Sequence, residues 1–291
     1  METGGRIIDG KAIADGIKAD LAEQVRGATA TGQRPPCLAV ILVGDDPGSS
    51  VYVRGKRQAC DAVGMRSLFH PLASDTDEAT LLDLIAALNA DPMVDGILVQ
   101  LPLPPQMDPR RVIFAIDPDK DVDGFHPLNF GRLALGEPGF KPCTPLGVMR
   151  LLRTIDFDPR GRLVTLIGWS NIVGKPLSLM LTAAGATTTV CHIETPDIAP
   201  LCQHAELLVV AAGHPGLIQA HMVKPGAVVI DVGINRLPSG KLVGDVDFAN
   251  VQPIVSAITP VPKGVGPMTV AMLIENTWQA YSARRQVALV D

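Results

Sequence analysis

Tyr52 and Lys56 lie four residues apart in SSVYVRGKRQAC. In a helix that spacing brings an aromatic ring and a primary amine onto one face. Taken alone, the pair reads first as a surface tyrosine beside a solvated lysine. Its company changes the weight. Gln100 closes the apolar run GILVQ, and Asp123 follows the turn DKDVDG. All four residues leave the carboxyl ends of apolar runs, or the segments just after them, which is where open α/β sheets bind ligands. A lysine accepts a proton when desolvation or neighbouring cations ease its deprotonation, and Lys56 is flanked in sequence by Arg54 and Arg57. Asp119 and Asp121 read as turn carboxylates capping backbone N–H groups.

A second cluster follows the run ending at Ile167: Gly168-Trp169-Ser170-Asn171-Ile172-Val173-Gly174-Lys175-Pro176, then an apolar helical stretch. Strand, glycine turn and helix in that order present backbone N–H groups and a helix N-terminus to a pyrophosphate. The pattern is GxSxxxG rather than GxGxxG, so the strands that follow carry the inference, and an ordinary strand-to-helix turn is the alternative. Gly168 and Gly174 permit close backbone approach, and Ser170 can donate its hydroxyl to a phosphate. Gly213 and Gly233 end later apolar runs, where a dinucleotide would cross the sheet edge.

These residues need a scaffold of alternating elements, and the chain has one. CLAVILVG (Cys37–Gly44), VDGILVQLP (Val94–Pro102), RLVTLIG (Arg162–Gly168), TTTVCH (Thr187–His192), AELLVVAAG (Ala205–Gly213) and GAVVIDVG (Gly226–Gly233) are apolar runs suited to strands buried on both faces. Between them lie stretches of helical period over Gly10–Ala30, Ser49–Val63, Glu78–Asn89, Pro109–Ala115, Pro145–Thr154, Lys175–Ala184 and Val270–Ser282. The alternation predicts an α/β protein with two domains built on parallel sheets, the second a Rossmann-like dinucleotide-binding domain. Asp117–Pro145, rich in Pro, Gly and Asp, reads as a long connecting loop lining a cleft between them.

Composition supports a compact fold: 291 residues, 47% hydrophobic, 19% charged and a net charge of −5. Disorder and coiled-coil rods are excluded, and 25 Lys and Arg spread along the chain give no footprint for nucleic acid. No apolar run approaches the ~18 residues a membrane helix needs, and Met1–Arg6 does not resemble a leader, so the expected location is cytoplasmic. Cys37, Cys60, Cys143, Cys191 and Cys202 lack a CxxC pair and read as small buried hydrophobes; no metal site is expected.

Together VYVRGK, VQLPLP, DKDVDGF, PCTPLG, GWSNIVGKP, DVGINR, GDVDF and ITPVPKGVGPMT resemble the bifunctional methylenetetrahydrofolate dehydrogenase/methenyltetrahydrofolate cyclohydrolase family, from about Ile8 to Trp278. The resemblance implies a folate-binding catalytic domain over residues 1–142, a NAD(P)-binding domain over 143–267, a terminal helix over 268–291 folding back onto the first, an active-site cleft and a homodimer. It implies oxidation of 5,10-methylenetetrahydrofolate and hydrolysis of the methenyl product, so the partners are tetrahydrofolate derivatives. Lys56 is then the candidate base, held by the neutral amide of Gln100. Asp123 would accept from the N–H donors of a pterin edge, and Tyr52 would stack on the folate rings. Gly168, Trp169, Ser170, Gly174, Ile193, Gly213, Gly233 and Ile234 would line the cofactor.

The chain departs from the family pattern at three places. Trp169 stands where an arginine is usual, Lys263 where the PGGVGP loop has glycine, and Ile193 where a hydroxyl or basic residue usually meets a 2′-phosphate. The resemblance implies NADP, while Trp169 and Ile193 keep NAD open, with Lys175 or Arg236 as other phosphate partners. A monofunctional dehydrogenase is the alternative that Lys56 and Gln100 together argue against. A non-catalytic folate-binding protein is the other, and the same lysine with the intact DKDVDGF loop argues against it.

Overall fold

The computed structural model describes residues 4–287. It begins with strand β1 (Arg6–Ile7) and helix α1 (Gly10–Ala30), followed by β2 (Cys37–Val43), α2 (Pro47–Val63), β3 (Arg66–Leu72), α3 (Glu78–Ala90), β4 (Gly96–Val99), α4 (Pro109–Ala115), α5 (Pro127–Leu135) and α6 (Cys143–Thr154). Then come β5 (Leu163–Ile167), α7 (Gly174–Ala183), β6 (Thr187–Cys191), α8 (Ala199–His204), β7 (Leu207–Val210), β8 (Val228–Asp231), β9 (Asn235–Arg236), β10 (Leu242–Val243), α9 (Phe248–Val251), β11 (Ala257–Ile258) and α10 (Val265–Val287). The chain folds as two compact units: Asp15–Cys143 with the chain from Val270 onward, and Thr144–Thr269 with the residues through Ala14.

In the first unit a parallel sheet runs in the order β3-β2-β4. β2, CLAVILV, is buried along its whole length, as a central strand covered on both faces must be. Cys37, Ala39, Ile41 and Val43 of β2 pack against Leu81, Ile85 and Leu88 of α3 and Val112 of α4. β3 is a strand the apolar runs did not mark. It is a half-exposed edge, RSLFHPL, and an edge tolerates the Pro71 that a central strand would not.

The second unit holds a six-stranded parallel sheet in the order β6-β5-β7-β8-β11-β1. The chain steps outward from β5 to β6, then crosses back to β7 on the other side of β5. That places a topological switch point between the ends of β5 and β7. The core beneath it includes Ile167, Leu208, Val210, Val229 and Ile258.

Two expectations need correction. The segment 117–145 is not one connecting loop: it contains α5, which begins at Pro127, is capped where the His126 ring accepts from the Leu128 N–H at 3.1 Å, and stops at Gly136 with φ +76°. Its Pro and Gly residues are helix-end signals rather than loop filler. The residues through Ala14 do not group with the 15–142 stretch, because β1 adds to β11 as the outer strand of the six-stranded sheet. Residues 1–3 of the expected first domain and 288–291 of the expected terminal helix lie outside the described residues. All five cysteines are free and buried, and burial pushes the Cys37 thiol up to about 11 and those of Cys60 and Cys202 up to about 12. Among the described residues no helix is long and apolar enough to cross a membrane.

Candidate active site

α2 starts where Asp46 accepts from the Ser49 N–H at 2.7 Å and Pro47 takes the first helical position; it ends at Gly64, φ +79°. Its buried stripe is Ser49, Val53, Lys56, Cys60 and Val63, so Lys56 occupies a position where helical period calls for an apolar residue. The lysine is only 8% exposed. Its Nζ donates to Gln100 Oε1 at 3.1 Å, and Gln100 Nε2 donates to the Leu101 carbonyl at 2.6 Å, which fixes the amide with its oxygen toward the amine. Tyr52, one turn earlier, is 48% exposed and leaves its ring free to meet a ligand. The flanking arginines do not share the stripe: Arg54 is exposed, and the Arg57 guanidinium lies 4.5 Å above the Phe69 ring of β3.

Asp123 sits half-buried in a loop held from below. Lys120, buried, donates to the carbonyls of Leu88, Asn89 and Asp91 at 2.8, 2.7 and 2.7 Å, closing the end of α3. Asp121 accepts from the Phe125 and His126 N–H groups at 3.1 and 2.8 Å and from Asn129 Nδ2 at 2.9 Å, the turn role its spacing predicted. Burial outweighs those donors and pushes its carboxyl up to about 6. Asp119 differs from expectation, since its exposed carboxylate faces Arg132 at 3.4 Å while Asp117 accepts its N–H. The Val122 carbonyl accepts from Cys143 Sγ at 3.4 Å and from Asn276 Nδ2 at 2.8 Å. Burial, reinforced by the Asp123 carboxylate, pushes the Cys143 thiol well above its usual range, while the Lys56 charge opposes that shift. Cys143 therefore lies within electrostatic reach of both groups. Its place in PCTPLG and that of Asn276 in α10 gave no signal of this beyond residue type.

In the other unit the glycine turn lies at the switch point. Gly168 has φ +115°, and a Cβ there would come within 2.2 Å of the Ala211 carbonyl oxygen. A Cβ on Gly174 would come within 2.1 Å of the Gly168 carbonyl oxygen. Side chains are thus excluded from the backbone that a pyrophosphate would approach. Ser170 Oγ accepts from the Val173 N–H at 3.1 Å and the Gly174 N–H at 3.4 Å, so its lone pairs cap α7. Trp169 is 47% exposed with the Lys175 ammonium 5.5 Å from its ring centre, and Lys175 also donates to Asn171 Oδ1 at 2.7 Å. Ile193 is 96% exposed and Ile234 also faces outward. The Gly213 N–H is already taken by Asp245 at 2.8 Å and that of Gly233 by Asp231 at 3.0 Å, so these glycines offer bare turns rather than donors. Asp231 and Asp245 lie within DVGINR and GDVDF, where residue type and spacing point to no role. Among the described residues no three His, Cys, Asp or Glu side chains gather as metal ligands.

Residues 8–123 match the catalytic domain, and residues 142–285 the NAD(P)-binding domain, of tetrahydrofolate dehydrogenase/cyclohydrolase. Bifunctional protein FolD of Desulfovibrio desulfuricans is 56% identical over 282 residues, covering 96% of this chain and 99% of that protein. The crystal structure of bifunctional FolD from Campylobacter jejuni matches with a TM-score of 0.94 at 51% identity, over 96% of this chain and 99% of that one. The Trypanosoma brucei enzyme, complexed with NADP cofactor and inhibitor, matches with a TM-score of 0.93 at 37% identity, over 98% and 99%.

Proposed function

The chain belongs to the tetrahydrofolate dehydrogenase/cyclohydrolase family, and from that premise we propose how its residues divide the work. It oxidises 5,10-methylenetetrahydrofolate to the 5,10-methenyl form and hydrolyses that cation to 10-formyltetrahydrofolate. Hydrolysis adds water to a cationic carbon, and a base must take the water's proton. Lys56 is that base in our reading. The observation that carries it is a buried amine anchored by an amide: Gln100 Oε1 orients Nζ without the compensating charge a carboxylate would bring. Asp123 accepts from the N–H donors along the pterin edge, and the exposed Tyr52 ring stacks on the folate.

For oxidation, Gly168, Ser170 and Gly174 hold the dinucleotide, with Trp169, Ile193, Gly213, Gly233 and Ile234 along its course. The fit rests on the side-chain-free cradle at Gly168 and Gly174. When bound, the nicotinamide supplies the hydride acceptor. The protein's own contribution is to hold the two rings in register. NADP is the cofactor the family and the NADP-bound trypanosomal relative support, and we propose that this chain discriminates weakly against NAD, since neither Trp169 nor Ile193 brings a charge to a 2′-phosphate. We also propose a homodimer, which light scattering would read as twice the chain mass.

Lys56→Met tests the base. It keeps an unbranched stem and removes the proton acceptor, so hydrolysis of added 5,10-methenyltetrahydrofolate should fall ~10² to 10⁴-fold with the circular dichroism unchanged. Unchanged hydrolysis would remove Lys56 from the mechanism.

A further inference from the structure

Two buried carboxyl groups behind the glycine turns do more bonding than the reaction described above uses. Asp245 Oδ2 accepts from the Ala212 N–H at 2.7 Å and the Gly213 N–H at 2.8 Å, and Oδ1 accepts from Asn235 Nδ2 at 2.8 Å. One side chain thereby ties the turn after β7 to the segment after β8. Asp231, the last residue of β8, fixes Asp245 in its turn: Oδ1 accepts from the Gly233 and Asp245 N–H groups, both at 3.0 Å, and Oδ2 accepts from the Val246 N–H at 3.0 Å. The packing leaves no slack. A Cβ on Gly233 would come within 2.2 Å of the Asp245 carboxyl, and one on Gly244 within 1.9 Å of that of Asp231. The Asp231 N–H donates to Thr259 Oγ1 at 2.8 Å, which extends the brace to the end of β11.

The braced turns are those whose glycines lie at the strand ends beside the switch point. We propose that Asp245, held by Asp231, is a positioning residue for the dinucleotide: it sets the Ala212–Gly213 and Gly233–Asn235 turns in the form the cofactor requires, without touching the cofactor itself. This rests on the placement of the cofactor at those turns. It predicts a split between the two reactions, because hydrolysis of added 5,10-methenyltetrahydrofolate uses no dinucleotide.

The test follows NADP+ and NAD+ binding by Trp169 emission in a Trp278→Phe background, beside initial rates of both reactions. Asp245→Ala leaves two backbone N–H groups without their acceptor and should weaken dinucleotide binding about tenfold, with hydrolysis retained. Asp245→Asn should recover most of the affinity, since its one amide oxygen still faces Ala212 and Gly213 while the Asn235 amide turns over to accept. Should Asp245→Ala not fold, Asn235→Ala, which removes a single prop, should show a smaller loss in the same direction. Dinucleotide affinity equal to wild type in the folded variants overturns the proposal, as does equal loss of both reactions. Wild-type Trp169 emission that ignores both dinucleotides overturns the cofactor placement and the proposal with it.

Discussion

Lys263 carries a side chain through a backbone conformation that suits glycine. Its φ is +80°, and its carbonyl accepts the Lys11 N–H at 3.0 Å. A non-glycine residue there costs about 1 to 2 kcal/mol, against the ~0.5 to 1 kcal/mol of extra chain entropy that glycine loses on folding. Lys263→Gly should therefore raise the free energy of urea unfolding by roughly 0.5 to 1 kcal/mol; a decrease would mean that the lysine stem makes an offsetting contact. Trp169 poses the opposite question, of affinity rather than strain. A hydrogen bond to a charged group contributes ~1.5 to 3 kcal/mol, so Trp169→Arg should tighten NADP binding roughly ten- to a hundredfold and leave NAD nearly unchanged. A wild-type preference for NADP of several hundredfold would instead point to Lys175, beside the Trp169 ring, as the phosphate partner. At this scale Lys56 was legible through its spacing from Tyr52 and the company of Gln100 and Asp123, while its burial beside Val53, Cys60 and Val63 came only from the folded helix. Asp245 was not: the N–H groups it accepts come from residues 33 and 32 positions away, and only the folded turns bring them to it.

The glycine turn and α7 work as one element. Adding a methyl at Gly168 would strain a φ of +115° and drive into the Ala211 carbonyl oxygen, prising apart the ends of β5 and β7. Gly168→Ala should thus raise the KM for the dinucleotide well before it affects hydrolysis, and initial-rate kinetics of the two reactions would separate them; an unaltered KM would move the cofactor elsewhere. Elements that span both faces of a sheet could be read from sequence, since burial on two sides demands a continuous apolar run, as in CLAVILV and LLVV. Edge and two-residue strands could not. β3 keeps a half-polar surface, and β1 and β11 are too short for any periodicity. α5 was hidden because its end signals, Pro127 and Gly136, are also the residues of loops.

Across the whole molecule, two buried carboxyls link stability to pH. Burial raises Asp121 to about 6 and Asp231 to about 7, from an ordinary 3.8. Each native carboxyl keeps a proton that the unfolded chain releases, so unfolding is progressively favoured as pH rises from about 4 toward 7. His126, lowered by burial, runs the other way, losing stability as pH falls below its ordinary 6.5. The clean measurement is the difference in unfolding free energy between wild type and Asp231→Asn. Wild type should be relatively strongest below pH 4 and lose that advantage through pH 7; a flat difference would show that Asp231 does not titrate in this range. The two units share a further property with a consequence for biogenesis. Gln252 Nε2 donates to the Gly5 carbonyl in one, and the Tyr281 hydroxyl to the Arg34 carbonyl in the other, each across 247 residues of chain. On the ribosome, then, neither bond can form until its later residue has been made. One bond waits for residue 252 and the other for residue 281, and a synthesis stalled before α10 leaves the first unit without the helix that its Arg34 carbonyl meets, exposed to chaperones and proteases.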